Sequence, residues 1–290
     1  MAAKIIDGKA IAAKYNGETR ERVGRLKERG INPCLAVVLV GEDPASLSYV
    51  RGKQKTLKDL NMEGKDIRLP EKTSEGELLS LIGSLNADPA VHGILVQSPL
   101  PSHIRGETII MALDPKKDVD CFHPLTLGKL LMGTPGFLPC TPHGVVVLLE
   151  ESKIPISGSQ VVIVGRSNIV GKPLAMLLSR RDKNATVTIC HTGTRDLSFH
   201  TRRADILVVA ARNPGLIKAD MIKEGTAVID VGINRVPDPS AKKGYRLKGD
   251  VDFDGALKVA GWISPVPGGV GPMTIAMLMR NVVEAAEYEE

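Results

Sequence analysis

The sequence predicts an α/β protein, on three observations. Short apolar runs alternate with helical stretches over most of its 290 residues, the pattern of a parallel sheet covered by helices. That pattern lapses once, in a stretch rich in Pro, Gly and Cys at residues 114–142, and restarts after it. At roughly 150 residues per domain, the length corresponds to about two domains, and a boundary is expected near Thr141.

In the first half, strands are expected at residues 35–40, 66–69 and 93–97. A helix follows Pro44 and is ended by Gly64. Ser74 opens the next helix with Glu77 three residues on, the spacing of a capping box. Residues 114–142 read as an active-site loop with a short helix. Thr141-Pro142 has the form of an N-cap followed by proline at the first helical position, opening a helix to about Glu151 that bridges the domains. In the second half, strands are expected at residues 161–164, 186–190, 205–210 and 227–231, and the last helix follows Pro272. No internal repeat or low-complexity tract is visible.

Composition narrows the function classes. Apolar residues make up 43% and charged residues 24%, which excludes disorder, a collagen-like fibre and a coiled coil. The longest apolar run, Cys34–Val40, has seven residues where a membrane-spanning helix needs about 20, so no membrane partner is expected. The first seventeen residues lack an apolar core followed by a cleavage site, so a cytoplasmic location is expected. Cys34, Cys121, Cys140 and Cys190 form no Cys-x-x-Cys and mostly adjoin apolar segments, as buried free thiols do. The net charge of +5 suits nucleic acid or small anions. Only four Phe, four Tyr and one Trp are present, and basic residues are interspersed with acids, so small anionic ligands are expected and no nucleic acid. The six histidines show no metal-ligand spacing, so no metal is expected; His123 and His191 read as structural or solvent-facing. Neither a Gly-x-Ser-x-Gly elbow nor a Walker lysine loop occurs.

The run VVIVGRSNIVGKPLAMLL is a buried strand, a turn containing Gly165 and Gly171, and a helix start whose free N–H groups suit a pyrophosphate. Its spacing is G-x-S-x-x-x-G, not the usual G-x-G-x-x-G. The next strand ends in TICHTGTRD, with hydroxyls and His191 where an NAD-selective enzyme places an acid for the ribose 2′-hydroxyl. Arg166 beside the turn supplies a planar guanidinium for a 2′-phosphate, which favours NADP. Its plainer reading is a solvated surface charge.

In ASLSYVRGKQKTLKDLNMEG, Tyr49 and Lys53 are four apart and share a helix face. Taken alone, that helix reads as a solvated lysine with its stem on Tyr49; partly desolvated, the same lysine is a proton shuttle or anion contact. Gln97 stands at the carboxyl end of a buried strand, where α/β proteins place ligands, and Asp120 is a loop acid.

Together these segments resemble the bifunctional methylenetetrahydrofolate dehydrogenase/methenyltetrahydrofolate cyclohydrolase family. The matching stretches are SYVRGKQK, GILVQSPLP, KKDVDCFHP, PCTPHGV, GRSNIVGKP, DVGIN, GDVDF and PVPGGVGPMT, in the family's order and spacing. The resemblance implies a folate-binding catalytic domain of residues 1–140 with 265–290, an NADP-binding Rossmann-type domain of residues 141–264, a folate cleft between them, and a C-terminal helix returning to the first domain. It puts the catalytic lysine at Lys53, the stacking tyrosine at Tyr49, the lysine-tuning glutamine at Gln97 and the pterin-binding aspartate at Asp120. It puts cofactor contacts at Gly165, Arg166, Ser167, Gly171, Thr192 and Ile233, and substrate contacts also at Pro267, Gly268 and Gly269. Tetrahydrofolate derivatives are the implied substrates and a homodimer the implied assembly.

The chain departs from the family's usual residues at Cys121 and Arg212, where glycine is common, and at Thr192 and Ser264, where serine and threonine are. Arg212 is the residue expected to crowd the nicotinamide or help bind phosphate. It makes a monofunctional member one alternative; an NADP-binding regulatory protein is another.

Overall fold

The computed structural model describes residues 2–134, 136–241 and 244–288. In chain order its elements are β1 (Lys4–Ile5), α1 (Gly8–Glu28), β2 (Cys34–Val40), α2 (Pro44–Asp59), β3 (Glu63–Leu69), α3 (Glu75–Ala87), β4 (Gly93–Val96), α4 (Gly106–Ala112) and α5 (Pro124–Leu131). There follow α6 (Cys140–Glu151), β5 (Gln160–Val164), α7 (Gly171–Ser179), β6 (Thr186–Cys190), α8 (Leu197–Thr201), β7 (Ile206–Val209) and β8 (Ala227–Asp230). The chain ends with β9 (Asn234–Pro237), β10 (Tyr245–Lys248), α9 (Phe253–Ala256), β11 (Trp262–Ile263) and α10 (Val270–Tyr288). It divides into a first unit, Ala13–Cys140 with Ile275–Glu290, and a second, Met1–Ala12 with Thr141–Thr274. No described helix is long and apolar enough to cross a membrane.

The first unit is built on a parallel sheet in the order β3-β2-β4. Its central strand β2, CLAVVLV, is buried at every position, which is why its sequence is a continuous apolar run with no alternation. Leu78, Ile82 and Leu85 of α3 pack on one face with Ala36, Val38 and Ile94. Each such side chain contributes about 2 kcal/mol on burial. The capping box of α3 is formed: Ser74 Oγ accepts from the Glu77 amide at 3.3 Å, and a Glu77 carboxylate oxygen accepts from the Ser74 amide at 2.8 Å.

The second unit holds a six-stranded parallel sheet in the order β1-β11-β8-β7-β5-β6, with β9 and β10 as a separate antiparallel pair. Strand β5 lies between β6, which follows it in sequence, and β7, so the direction of winding reverses at β5. Ligands of open α/β sheets bind outside the carboxyl ends of the strands at such a switch point.

Several expectations are corrected. Residues 1–12 do not join the first unit: β1 pairs with β11, Lys4 opposite Trp262 and Ile5 opposite Ile263, and a two-residue strand is too short to carry a periodic signal. Residues 265–274 also belong to the second unit, while α10 from Ile275 onward belongs to the first. Strand β3 begins at Glu63 and α2 stops at Asp59, so Gly64 lies within the strand. Helix α6 starts at Cys140 and α10 at Val270, making Pro142 and Pro272 the third helical residue, where the N–H has no intrahelical acceptor. Thr141 is therefore not a cap; its hydroxyl bonds that of Thr274 at 3.0 Å. The sequence reading omitted α1, whose buried stripe, Ala12, Thr19, Val23 and Leu26, includes a threonine and a small alanine.

Candidate active site

In the first unit, α2 starts where Asp43 accepts from the Ser46 amide at 2.7 Å and Pro44 occupies the first turn. Along this helix and its end, Ser46, Val50, Lys53, Leu57 and Leu60 are buried at three- and four-residue steps. Lys53 thus takes a core position in an apolar stripe and is only 8% exposed. Tyr49, one turn earlier, is 39% exposed. The Lys53 ammonium donates to Gln97 Oε1 at 2.8 Å. Gln97 follows β4, its amide bonds Val38 O at 2.8 Å, and its own Nε2 donates to Ser98 O at 2.8 Å, so Oε1 is turned toward the lysine.

Asp120 is half-buried in the loop before α5. Burial holds the Lys53 ammonium below the ordinary lysine range, with the Asp120 charge opposing. Burial raises the Asp120 carboxyl, opposed first by the Lys53 charge. The loop is tied from beneath. Asp118 accepts from the amides of Phe122 at 3.2 Å and His123 at 2.8 Å and from the Thr126 hydroxyl at 2.9 Å. Val119 O accepts from Asn281 Nδ2 at 2.7 Å and from the Cys140 thiol at 3.3 Å. A cavity of about 570 Å³ lies at the amino ends of β2 and β3, lined by Cys34, Glu63 and His92 among others, and does not include Lys53, Gln97 or Asp120.

In the second unit, Gly165 follows β5 with φ +130°, and a Cβ there would overlap Ala210 O; one at Gly171 would overlap Gly165 O. Both glycines permit the close strand–turn–helix approach. Ser167 Oγ accepts from the Val170 amide at 3.1 Å, shaping the turn, and Arg166 is exposed beside it. Thr192 is exposed after β6, and Ile233, 37% exposed, follows β8. Together these six residues stand beyond the carboxyl ends of three strands of one sheet. Pro267, Gly268 and Gly269 lie after β11 in the second unit; a Cβ at Gly8 would overlap Gly269 O, and Gly268 has φ +116°.

Residues 6–120 match the tetrahydrofolate dehydrogenase/cyclohydrolase catalytic domain, and residues 139–290 match the NAD(P)-binding domain of the same family. The chain belongs to this family. Its relatives include the bifunctional protein FolD of Moorella thermoacetica, 57% identical over 99% of both chains, and that of Bacillus subtilis, 52% identical over 99% of each. Among solved structures, the bifunctional FolD of Campylobacter jejuni superposes with a TM-score of 0.94 at 48% identity over the whole of both chains. The Trypanosoma brucei enzyme, in complex with NADP cofactor and inhibitor, gives 0.96 at 40% identity over 100% of this chain and 99% of that one. The chain is a tetrahydrofolate dehydrogenase and cyclohydrolase, and neither a monofunctional nor a non-catalytic reading is favoured.

Family membership gives meaning to two departures. Cys121 and Arg212 have φ +60° and +54°, the left-handed region that glycine enters freely and other residues enter at a cost of about 1 kcal/mol or more. Backbone shape is therefore what a glycine would ease at both positions. The Cys121 and Cys140 thiols are buried, which pushes both well up and leaves them un-ionised. His123 Nδ1 accepts from the Leu125 amide at 3.0 Å, and His191 Nδ1 from the Gly193 amide at 3.0 Å, so both are structural.

Sequence reasoning missed a pair of buried acids in DVGIN and GDVDF. Asp230 accepts from the amides of Gly232 at 2.9 Å, Asp250 at 3.0 Å and Val251 at 2.9 Å; Asp250 accepts from those of residues 211–213. Burial pushes the Asp230 carboxyl up to about 7, opposed by its amide donors and assisted by the Asp250 charge. The available signal was an aspartate close to glycine in both motifs.

Proposed function

We propose that this enzyme oxidises 5,10-methylenetetrahydrofolate with NADP and hydrolyses the methenyl product to 10-formyltetrahydrofolate, with Lys53 as the proton acceptor of hydrolysis. The observation that carries this reading is the buried Lys53 amine held at 2.8 Å by Gln97 Oε1. A lysine in water, at about 10.4, is almost fully protonated near neutrality, and burial shifts it toward the form that accepts a proton.

NADP, when bound, would supply the acceptor for the hydride of the methylene carbon. The residues fit it. Gly165 and Gly171 open close backbone access, Arg166 stands ready for the 2′-phosphate, and His191, Thr192 and Gly193 replace the acid that favours NAD. Ser167, Thr192 and Ile233 complete the cofactor contacts.

In hydrolysis, water adds its oxygen to the cationic methenyl carbon and Lys53 takes the released proton. The bond from that carbon to N5 then breaks with its electron pair going to N5, which gains a proton as the new hydroxyl gives one up, leaving the formyl group on N10. Gln97 aims the amine; Asp120 accepts hydrogen bonds from the pterin amino and ring N–H groups. Tyr49, partly exposed a turn before the lysine, stacks on the substrate, and Pro267, Gly268 and Gly269 offer backbone contacts. Following NADPH and methenyl absorbance in one incubation with methylenetetrahydrofolate tests the pathway: NADPH without passage of the methenyl species to formyl would sink the second step.

We further propose a cytoplasmic homodimer joined through the nucleotide-binding unit, supplying formyl groups to purine biosynthesis and binding neither nucleic acid nor membrane. The family resemblance and the interspersed charges support this, and sedimentation of the purified protein tests the dimer.

A further inference from the structure

Two aspartates interlock beneath the nucleotide-binding edge. A Cβ at Gly249 would overlap a carboxylate oxygen of Asp230, and one at Gly232 would overlap the carboxylate carbon of Asp250. Each acid thus packs on the other motif's glycine. Asp250, fully buried, accepts from the amides of Ala211 at 2.6 Å, Arg212 at 2.9 Å and Asn213 at 2.8 Å, and from Asn234 Nδ2 at 2.8 Å. Three successive amides converging on one carboxylate define the backbone of that turn, including φ +54° at Arg212. The turn extends β7 directly beside Gly165, which extends β5: Ala210 N donates to Val164 O at 2.8 Å, and Ala210 O is the atom that excludes a side chain from Gly165. Through Asn234, the same carboxylate also holds the residue after Ile233.

We propose that Asp250 is a positioning residue of the dinucleotide site. It holds the Ala211–Arg212–Asn213 turn in its left-handed shape against the Gly165 turn, and Asp230, by accepting from the Asp250 and Val251 amides, holds Asp250 in place. This rests on the reading that the dinucleotide lies at the switch point between β5 and β7. Both acids are buried, so their effect passes through the turn, whose Arg212 side chain is exposed.

The test compares Asp250→Asn alone and combined with Arg212→Gly, each against its Asp250 parent, with Arg166→Ala in parallel. An asparagine amide cannot accept all three N–H groups, so the turn loses its anchor. The KM for NADP should rise about tenfold or more, since small displacements of a ligand-facing segment are felt strongly. Hydrolysis of methenyltetrahydrofolate, which uses no dinucleotide, should stay within about twofold in the same preparation. Glycine at 212 holds positive φ unaided, so the double variant should recover part of the loss. A KM unchanged in Asp250→Asn but raised in Arg166→Ala overturns the positioning role alone. A KM unchanged in both overturns the dinucleotide site and this role with it. A raised KM that glycine does not ease, or loss of the unfolding transition seen by the single Trp262 in both Asp250 variants, assigns Asp250 to structure only and overturns the proposal.

Discussion

The Nζ of Lys53 and the Oε1 of Gln97 meet at 2.8 Å, although 44 positions separate them in the chain. The lysine comes from the buried stripe of α2 and the amide from the residue just past β4, so two rigid elements set the distance. An amine so placed loses hydration but keeps an acceptor, the condition for a lysine that changes charge nearer neutrality.

Lys53→Met should abolish hydrolysis far more thoroughly than hydride transfer. Loss of a positioned proton acceptor costs about 10²- to 10⁴-fold, whereas hydride transfer depends on alignment. Parallel decline of NADPH formation and of methenyl decay would refute the role.

Asp120→Asn should move the ascending limb of the hydrolysis kcat profile to lower pH. The Asp120 charge raises the Lys53 value against the lowering by burial, so removing it leaves burial less opposed. The profile is measured at saturating substrate to separate this from weaker folate binding; a shift to higher pH contradicts the electrostatic relation.

Arg166→Ala should raise the KM for NADP by about tenfold or more and leave that for NAD nearly unchanged, since one charge-assisted contact to phosphate is worth about 1.5–3 kcal/mol. Equal losses with both dinucleotides count against 2′-phosphate recognition.

Asp230→Asn should flatten the pH dependence of stability of the second unit, read by Trp262 fluorescence. Asp230 has a folded value of about 7, above its unfolded value, so its contribution is fully present below about pH 4 and is lost as pH rises to about 7. The wild type should lose about 1–3 kcal/mol between pH 5 and 8 from this group, because each tenfold difference in proton affinity between the folded and unfolded chain is worth about 1.4 kcal/mol. An unchanged slope in the variant would place the titration elsewhere.

The strands and helices that carry the site were legible because their residues obey local rules. β2 is a continuous apolar run, α3 displays its capping box, and the β5–α7 turn shows its glycines. Lys53 was legible as a residue of interest but not as a buried one: the stripe of Ser46, Val50, Lys53 and Leu57 is visible only to a reader willing to place a lysine in a core position. The two-residue strands β1 and β11 were not legible, because pairing partners far apart in the chain define them.

What the sequence by itself determined was the class and the strand–turn–helix of the nucleotide half, since these depend on periodicity, capping or turn chemistry within a few neighbouring residues. The catalytic residues were implied by the resemblance of its motifs, in their order, to a known family. Tertiary structure alone decided that residues 1–12 belong to the nucleotide-binding unit, that Lys53 is desolvated against Gln97, and that Asp250 gathers the amides of a turn 37 to 39 positions away. Burial and long-range hydrogen bonding arise only when distant segments exclude water from one another, and no local pattern records which segments those are.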